Sequence, residues 1–415
     1  MQKNTSVDQT KMSSLNKWLL ILGVILIAAN LRAPLTSIGS LISYIRTDLE
    51  LSHALAGTIT TLPLIAFAIL SPFAPKIAHK ISMEKTIFLS LSVLAVGIVL
   101  RSLFGTASLF VGTALIGVGI AFGNVLLPGF IKMKFPLKVG IMTGIYGVFM
   151  NVFAALASGL SVPISSIGQL GWKGSLAFWS LPAFIGIAVW LPQLRKGKKQ
   201  DETDSEDQNP GEKTALWRSP LAWAITLFMG LQSLIFYTVI TWLPEILQSI
   251  GYSSSAAGWL LFLMQFAIIP VTFIIPVIAE RMDNQSLLSG LTGILFILGL
   301  AGVLYGNHTL IPISVILIGV AGGCAFSLSM MFFSMRTTSA VQASEMSGMA
   351  QSFGYLLAAI GPVLFGALHD FTESWAAPLI MLIGVSVVIL LAGFEAGKKK
   401  VINETIEEEP ETLSV

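Results

Sequence analysis

The feature that most constrains this chain is the recurrence of long apolar stretches, twelve in number, separated by short polar turns. Their limits are 17–45, 52–79, 84–104, 108–134, 138–166, 173–194, 219–248, 254–280, 285–306, 308–335, 342–369 and 374–396. A helix rises ~1.5 Å per residue and a hydrocarbon core is about 30 Å thick, so stretches of this size cross a bilayer. Gly and Pro within them do not break the assignment, because neighbouring helices satisfy the freed backbone groups. Only 11% of the residues are charged, against ~25% in an ordinary soluble domain. The chain reads as an all-α integral membrane protein.

Its basic residues give an orientation. Those in the tails and even-numbered loops outnumber those in the other loops by 20 to 3, the three being Arg46, Arg101 and Lys173. Loops rich in Lys and Arg stay inside, so both termini are expected in the cytoplasm and the protein in the plasma membrane. The first 16 residues are polar and lack a small-residue cleavage signal, so the first span is expected to remain. Cys324 is alone, which excludes an internal disulfide and a cysteine metal site. The net charge of +2 is spread over loops and points to topology, not to nucleic acid.

A shift of 201 residues superimposes one half on the other. It brings Ser52 onto Ser253, Ala56-Gly57 onto Ala257-Gly258, Pro75 onto Pro276, Ala78 onto Ala279 and Lys80 onto Arg281. With the offset drifting, Leu115 to Val118 matches Leu317 to Val320, and Met142-Thr143-Gly144 matches Met346-Ser347-Gly348. The order of the matches makes this a duplicated six-helix unit. The expected layout is a tail at 1–16, a six-helix bundle at 17–196, a linker at 197–217, a second bundle at 218–397 and a tail at 398–415. The linker, with its run of Asp and Glu after Lys199, reads as a solvated cytoplasmic segment.

One full charge interrupts the first span. Arg32 lies 14 residues past Trp18, roughly 21 Å along a helix and a little beyond the midplane. A charge there costs on the order of 3 kcal/mol, and no acidic residue occurs at matching depth. Positions 29, 32, 36, 40 and 43 read Ala-Arg-Thr-Ser-Ser, whereas 31, 35, 38, 42 and 45 read Leu-Leu-Ile-Ile-Ile. At helical spacing these are a polar and an apolar stripe, so Arg32 and Thr36 are expected to face a wet cavity. Pro34 removes a backbone donor beside Arg32, and Asn30, turned about 200° away, is assigned to supporting that backbone.

Six plus six helices with both ends inside resemble the major facilitator superfamily, whose halves rock about a central site. A narrower resemblance rests on Asn30 to Ser37, Thr60-Thr61-Leu62-Pro63, Pro72 with Pro75, Gly123 to Pro128, Lys134-Phe135-Pro136, Trp172 to Trp179 and Trp242-Leu243-Pro244. These are similar to the cyanate and nitroimidazole porter family. The resemblance implies an alternating-access carrier of small anionic or nitro-bearing solutes, acting as a monomer in the lipid bilayer without a cofactor or metal. The superfamily's Gly and Asp signature after the second helix is missing from Pro75 to Lys85, while the equivalent loop keeps Glu280-Arg281. Lys80, Glu280 and Arg281 are therefore the gating candidates.

Arg offers a planar fork of donors suited to carboxylate, nitro or linear-anion oxygens. The polar residues expected around it are Asn124, Tyr146, Asn151, Gln232, Tyr237, Gln265, Gln351 and Tyr355, each open to the alternative of a helix-to-helix hydrogen bond. Coupling is not legible, since no Asp, Glu or His lies at central depth; facilitated transport, exchange and a proton travelling with the solute all stay open. A second reading is a multidrug-type efflux carrier of lipophilic compounds. An intramembrane enzyme is disfavoured, as no His/Asp cluster or Ser/Lys pair is evident within the spans.

Overall fold

A computed structural model describes residues 14–135, 138–194, 213–338 and 340–402. Nearly all of the expected N-terminal tail, the linker up to residue 212 and the C-terminal tail from 403 lie outside the described residues. Among the described residues, twelve helices are long and apolar enough to cross a membrane. They are α1 (Ser14–Leu49), α2 (His53–Leu70), α3 (Met83–Leu103), α4 (Thr106–Lys134), α5 (Val139–Ser166) and α6 (Gly171–Leu194, interrupted at Trp179 and Ser180). The second half holds α7 (Pro220–Ser249), α8 (Ser254–Glu280), α9 (Ser286–Tyr305), α10 (Ile311–Met335), α11 (Ala340–Thr372) and α12 (Ala376–Ala396).

Local chemistry starts these helices where the turns predict. Ser52 caps α2 by accepting from the Leu55 amide, and Ser253 caps α8 by accepting from the Ala256 amide. The two serines are 201 residues apart, so the repeat holds at the level of a single hydrogen bond. Pro220 opens α7 behind the Ser219 cap, where its missing N–H costs nothing. Beyond Leu70 the axis of α2 runs through one 3-10 turn into the short helix Ala74–Ile81.

The helices form two bundles, α1–α6 and α7–α12, that meet along α1 with α7, α2 with α11 and α5 with α8. The last two contacts exchange under the repeat. Glycine makes the meeting close. A Cβ on Gly57 would stand 2.4 Å from the Pro362 carbonyl oxygen, and one on its repeat mate Gly258 2.9 Å from that of Ser158. A Cβ on Gly39 would stand 1.8 Å from the carbonyl oxygen of Ile240, the residue 201 positions on. The pseudo-symmetry axis therefore passes through a backbone-to-backbone crossing that no other residue fits.

The N-terminal ends of α1 and α7 and the C-terminal end of α6 lie on one face, here the linker face; the other is the distal face. Among the described residues, the cross-bundle hydrogen bonds begin at the level of Ala154 with Gln265 and Thr61 with Ala359 and continue toward the distal face. Toward the linker face the bundles separate around a vestibule of ≈ 660 Å³.

Candidate functional site

Arg32 extends from α1 into the space between the bundles. Its Nη1 donates to Asn151 Oδ1 of α5 at 2.8 Å, and its guanidinium carbon lies 4.7 Å from the centre of the Phe236 ring and 5.7 Å from that of Phe326. Such stacking contributes about 1 kcal/mol and leaves the edge donors free. Arg32 forms no ion pair among the described residues, so one of its five N–H groups is occupied by a protein oxygen. Asn151 is held in turn, its amide donating to the Gly147 carbonyl.

Around the guanidinium closes a small cavity of ≈ 20 Å³, room for about one water. Asn151, Gln232, Ser233, Tyr237, Thr272 and Tyr355 supply its polar wall, and Phe236, Phe326, Ile268 and Gly322 the rest. A Cβ on Gly322 would meet nothing within 4 Å, so this glycine leaves space for the cavity instead of serving close helix packing, as Gly319 does. The cavity lining holds no carboxylate, so the guanidinium is its one formal charge among the described residues.

The candidates from the sequence sort by depth and by partner. Arg32, Asn151, Gln232, Tyr237 and Tyr355 come together at the cavity. Asn124 and Gln351 line the vestibule, one level nearer the linker face, and Tyr146 donates to Asn124 Oδ1 at 3.4 Å. Thr36 and Gln265 both bond α5: the Thr36 hydroxyl donates to the Ala154 carbonyl at 2.9 Å, and the Gln265 amide donates to Ser158 Oγ at 2.9 Å. Asn30 donates to the Leu26 carbonyl one turn back in its own helix. Lys80, Glu280 and Arg281 are exposed and form no ion pair among the described residues.

Arg101 departs from its sequence assignment. Counted with the loops, it is instead fully buried near the distal end of α3, and Nη1 donates to the Pro34 carbonyl at 2.6 Å. Pro34 is thus tied to α3 by its carbonyl, which also accepts from the Ser37 hydroxyl. A second buried arginine next to the first span was invisible because its partners, the Pro34 carbonyl and the Ser37 hydroxyl, are uncharged.

The distal face carries a cluster that the sequence did not bring together. Arg46 of α1 pairs with Glu245 of α7 at 2.8 Å; His53 of α2 lies 2.6 Å by Nδ1 from Asp370 of α11 and 3.2 Å by Nε2 from Glu245. Asp370 also accepts from the Ala54 amide at 2.9 Å, capping α2 from the opposite bundle. His53, His369 and Asp370 thus form the His/Asp cluster that the sequence did not reveal. Both ring nitrogens of His53 already face partners, Asp370 on one side and Arg46 and Glu245 on the other, so the group acts as a cross-bundle latch.

Comparison with known proteins agrees with this architecture. A sequence model of the Major Facilitator Superfamily matches residues 20–356. The uncharacterized transporter YycB of Bacillus subtilis (strain 168) is 46% identical over 92% of this chain and 94% of its own. The 2-nitroimidazole transporter of Escherichia coli (strain K12) is 39% identical over 95% and 99%. Among solved structures, a variant of the nucleoside transporter NupG superimposes with a TM-score of 0.75 at 15% identity, covering 91% of this chain and 100% of that one; this likeness concerns the fold.

Proposed function

Because the chain belongs to the Major Facilitator Superfamily and is similar to a 2-nitroimidazole transporter, we propose that it carries a small anionic or nitro-bearing solute by alternating access, with Arg32 as the recognition group. One observation carries the reading: a guanidinium at the interface of the bundles has a neutral amide as its protein hydrogen-bond partner and no carboxylate among the described residues. An anion or nitro group accepts the remaining donors, and the phenols of Tyr237 and Tyr355 stand in the same wall. The identity to a 2-nitroimidazole transporter supports this class of solute.

The state described is sealed at the distal face by the Arg46–Glu245 and His53–Asp370 contacts and open through the vestibule. The excess of basic residues in its loops supports a cytoplasmic position for the linker face, and on that reading this state is inward-facing. The transporter functions as a monomer, with each bundle a rocking unit. The Arg32 cavity holds about one water and has to widen for a solute of any size; it is the polar wall around the guanidinium that favours an anionic or nitro-bearing solute over the lipophilic compounds of an efflux carrier.

The test is uptake of 2-nitroimidazole and of small linear anions into proteoliposomes. Saturable uptake by the wild type that is lost in Arg32→Ala, with insertion unchanged, supports the assignment. Equal uptake by both removes Arg32 from recognition.

A further inference from the structure

The vestibule has a counterpart under the repeat. Between the linker-face halves of α5 and α8, on the linker side of the Gln265–Ala154 bond, lies a pocket of ≈ 410 Å³. Helix α5 contributes positions 143, 144, 147, 148 and 151, and α8 positions 269, 272, 273 and 276, one face of each helix. At the offset of 204, Thr143 and Gly144 fall on Ser347 and Gly348; at 201, Pro276 falls on Pro75. Those three mates all line the vestibule, so the two spaces are pseudo-symmetric copies.

Their chemistry has diverged. Where the vestibule has Gln351 and Ser352, the pocket has Gly147 and Val148. The vestibule also holds the carboxylate of Glu345, whereas the pocket lining is uncharged and, apart from Thr143, Asn151 and Thr272, apolar. A Cβ on Gly147 would meet nothing within 4 Å, and one on Gly144 would lie 3.2 Å from the Phe273 ring. Gly147 therefore leaves space open, and Phe273 covers Gly144 from the opposite bundle.

Two side chains separate this pocket from Arg32, because Asn151 and Thr272 line both spaces. Thr272 is bonded to its own helix at the Ile268 carbonyl, but Asn151 stands in the wall through the bond its Oδ1 accepts from Arg32 Nη1. A solute oxygen that takes Nη1 releases Asn151. The one-water cavity then joins a space that falls within the roughly 300–1,000 Å³ of small-molecule sites.

We propose that the α5–α8 pocket is the subsite for a planar aromatic ring, so that the solute is a nitro- or carboxylate-bearing ring with its oxygens on Arg32 and its ring against Gly147, Val148 and Phe273. The inference rests on the reading of Arg32 as the recognition group. The ring exchanges water for an apolar wall, and the polar vestibule is left as the route to the linker face.

The test compares 2-nitroimidazole with formate, which offers Arg32 a two-oxygen edge without a ring, by calorimetry on purified full-length protein. Gly147→Leu fills the pocket and should weaken 2-nitroimidazole binding about 30-fold, while formate stays within about threefold and the unfolding temperature holds. In a Cys324→Ala background, which leaves no other thiol, 2-nitroimidazole should protect Gly147→Cys from a small maleimide and formate should not. Undiminished 2-nitroimidazole affinity in Gly147→Leu, equal weakening of both solutes, or equal labelling of Gly147→Cys with and without 2-nitroimidazole overturns the subsite alone. A wild type that binds 2-nitroimidazole no better than Arg32→Ala does overturns the subsite together with the Arg32 reading.

Discussion

The two halves of this molecule, laid over each other at an offset of 201 residues, agree at some positions and differ at others, and the division separates scaffold from function. Ser52 and Ser253 cap equivalent helices, and Gly57 and Gly258 admit equivalent backbones of the opposite bundle. Where the halves differ, charge appears. Arg32 corresponds to Ser233, Arg46 to Leu247 and His53 to Ser254. A symmetric frame supplies the surfaces on which the bundles meet, and an asymmetric set of charges supplies the proposed recognition group and the ion pairs of the distal face.

The largest effect is expected where the frame is symmetric about its own axis. Gly39→Ala puts a methyl group onto the Ile240 carbonyl, so the distal seam cannot close and transport falls roughly 100-fold, while labelling of a Thr241→Cys reporter, buried at that seam against Thr60, by an impermeant maleimide rises. Next comes Asn151→Asp, which gives Arg32 a built-in carboxylate and makes the solute compete with it. Solute affinity measured by titration should drop roughly 30-fold, a larger loss than in Asn151→Ala. Glu245→Gln removes the anion from between Arg46 and His53, and the distal-open population should rise about fivefold by the same labelling. Ser253→Ala should lower stability by about 1 kcal/mol, matched by Ser52→Ala, with transport per folded molecule unchanged; unequal losses would show that the repeat does not extend to capping.

Depth and helix face were legible from residues alone; neighbours were not. Length and hydropathy locate all twelve helices, because bilayer thickness imposes them. Arg32, Gln232 and Tyr237 stand out as polar groups at central depth on the first helices of the two halves. Thr36 shares the Arg32 stripe one turn on, yet its hydroxyl bonds the Ala154 carbonyl, a partner 118 residues away that periodicity does not disclose. Phe236 and Phe326 carry no signal among 25 phenylalanines, although they stack on the guanidinium. The distal cluster joins residues 192 to 317 positions apart, and only the packing of α2 against α11 and α7 assembles it. Arg101 was hidden for the same reason, since its partners, the Pro34 carbonyl and the Ser37 hydroxyl, carry no charge to search for.

The most direct test of the account is the affinity of the purified protein for a nitro-heterocycle and for a small anion, measured by calorimetry in wild type, Arg32→Ala and Arg32→Lys. Binding should be lost by at least ~100-fold in Arg32→Ala and partly kept in Arg32→Lys, as expected when a buried charge-assisted contact is removed or replaced by a point charge. Equal affinities in all three proteins would contradict the claim that the solute neutralises Arg32.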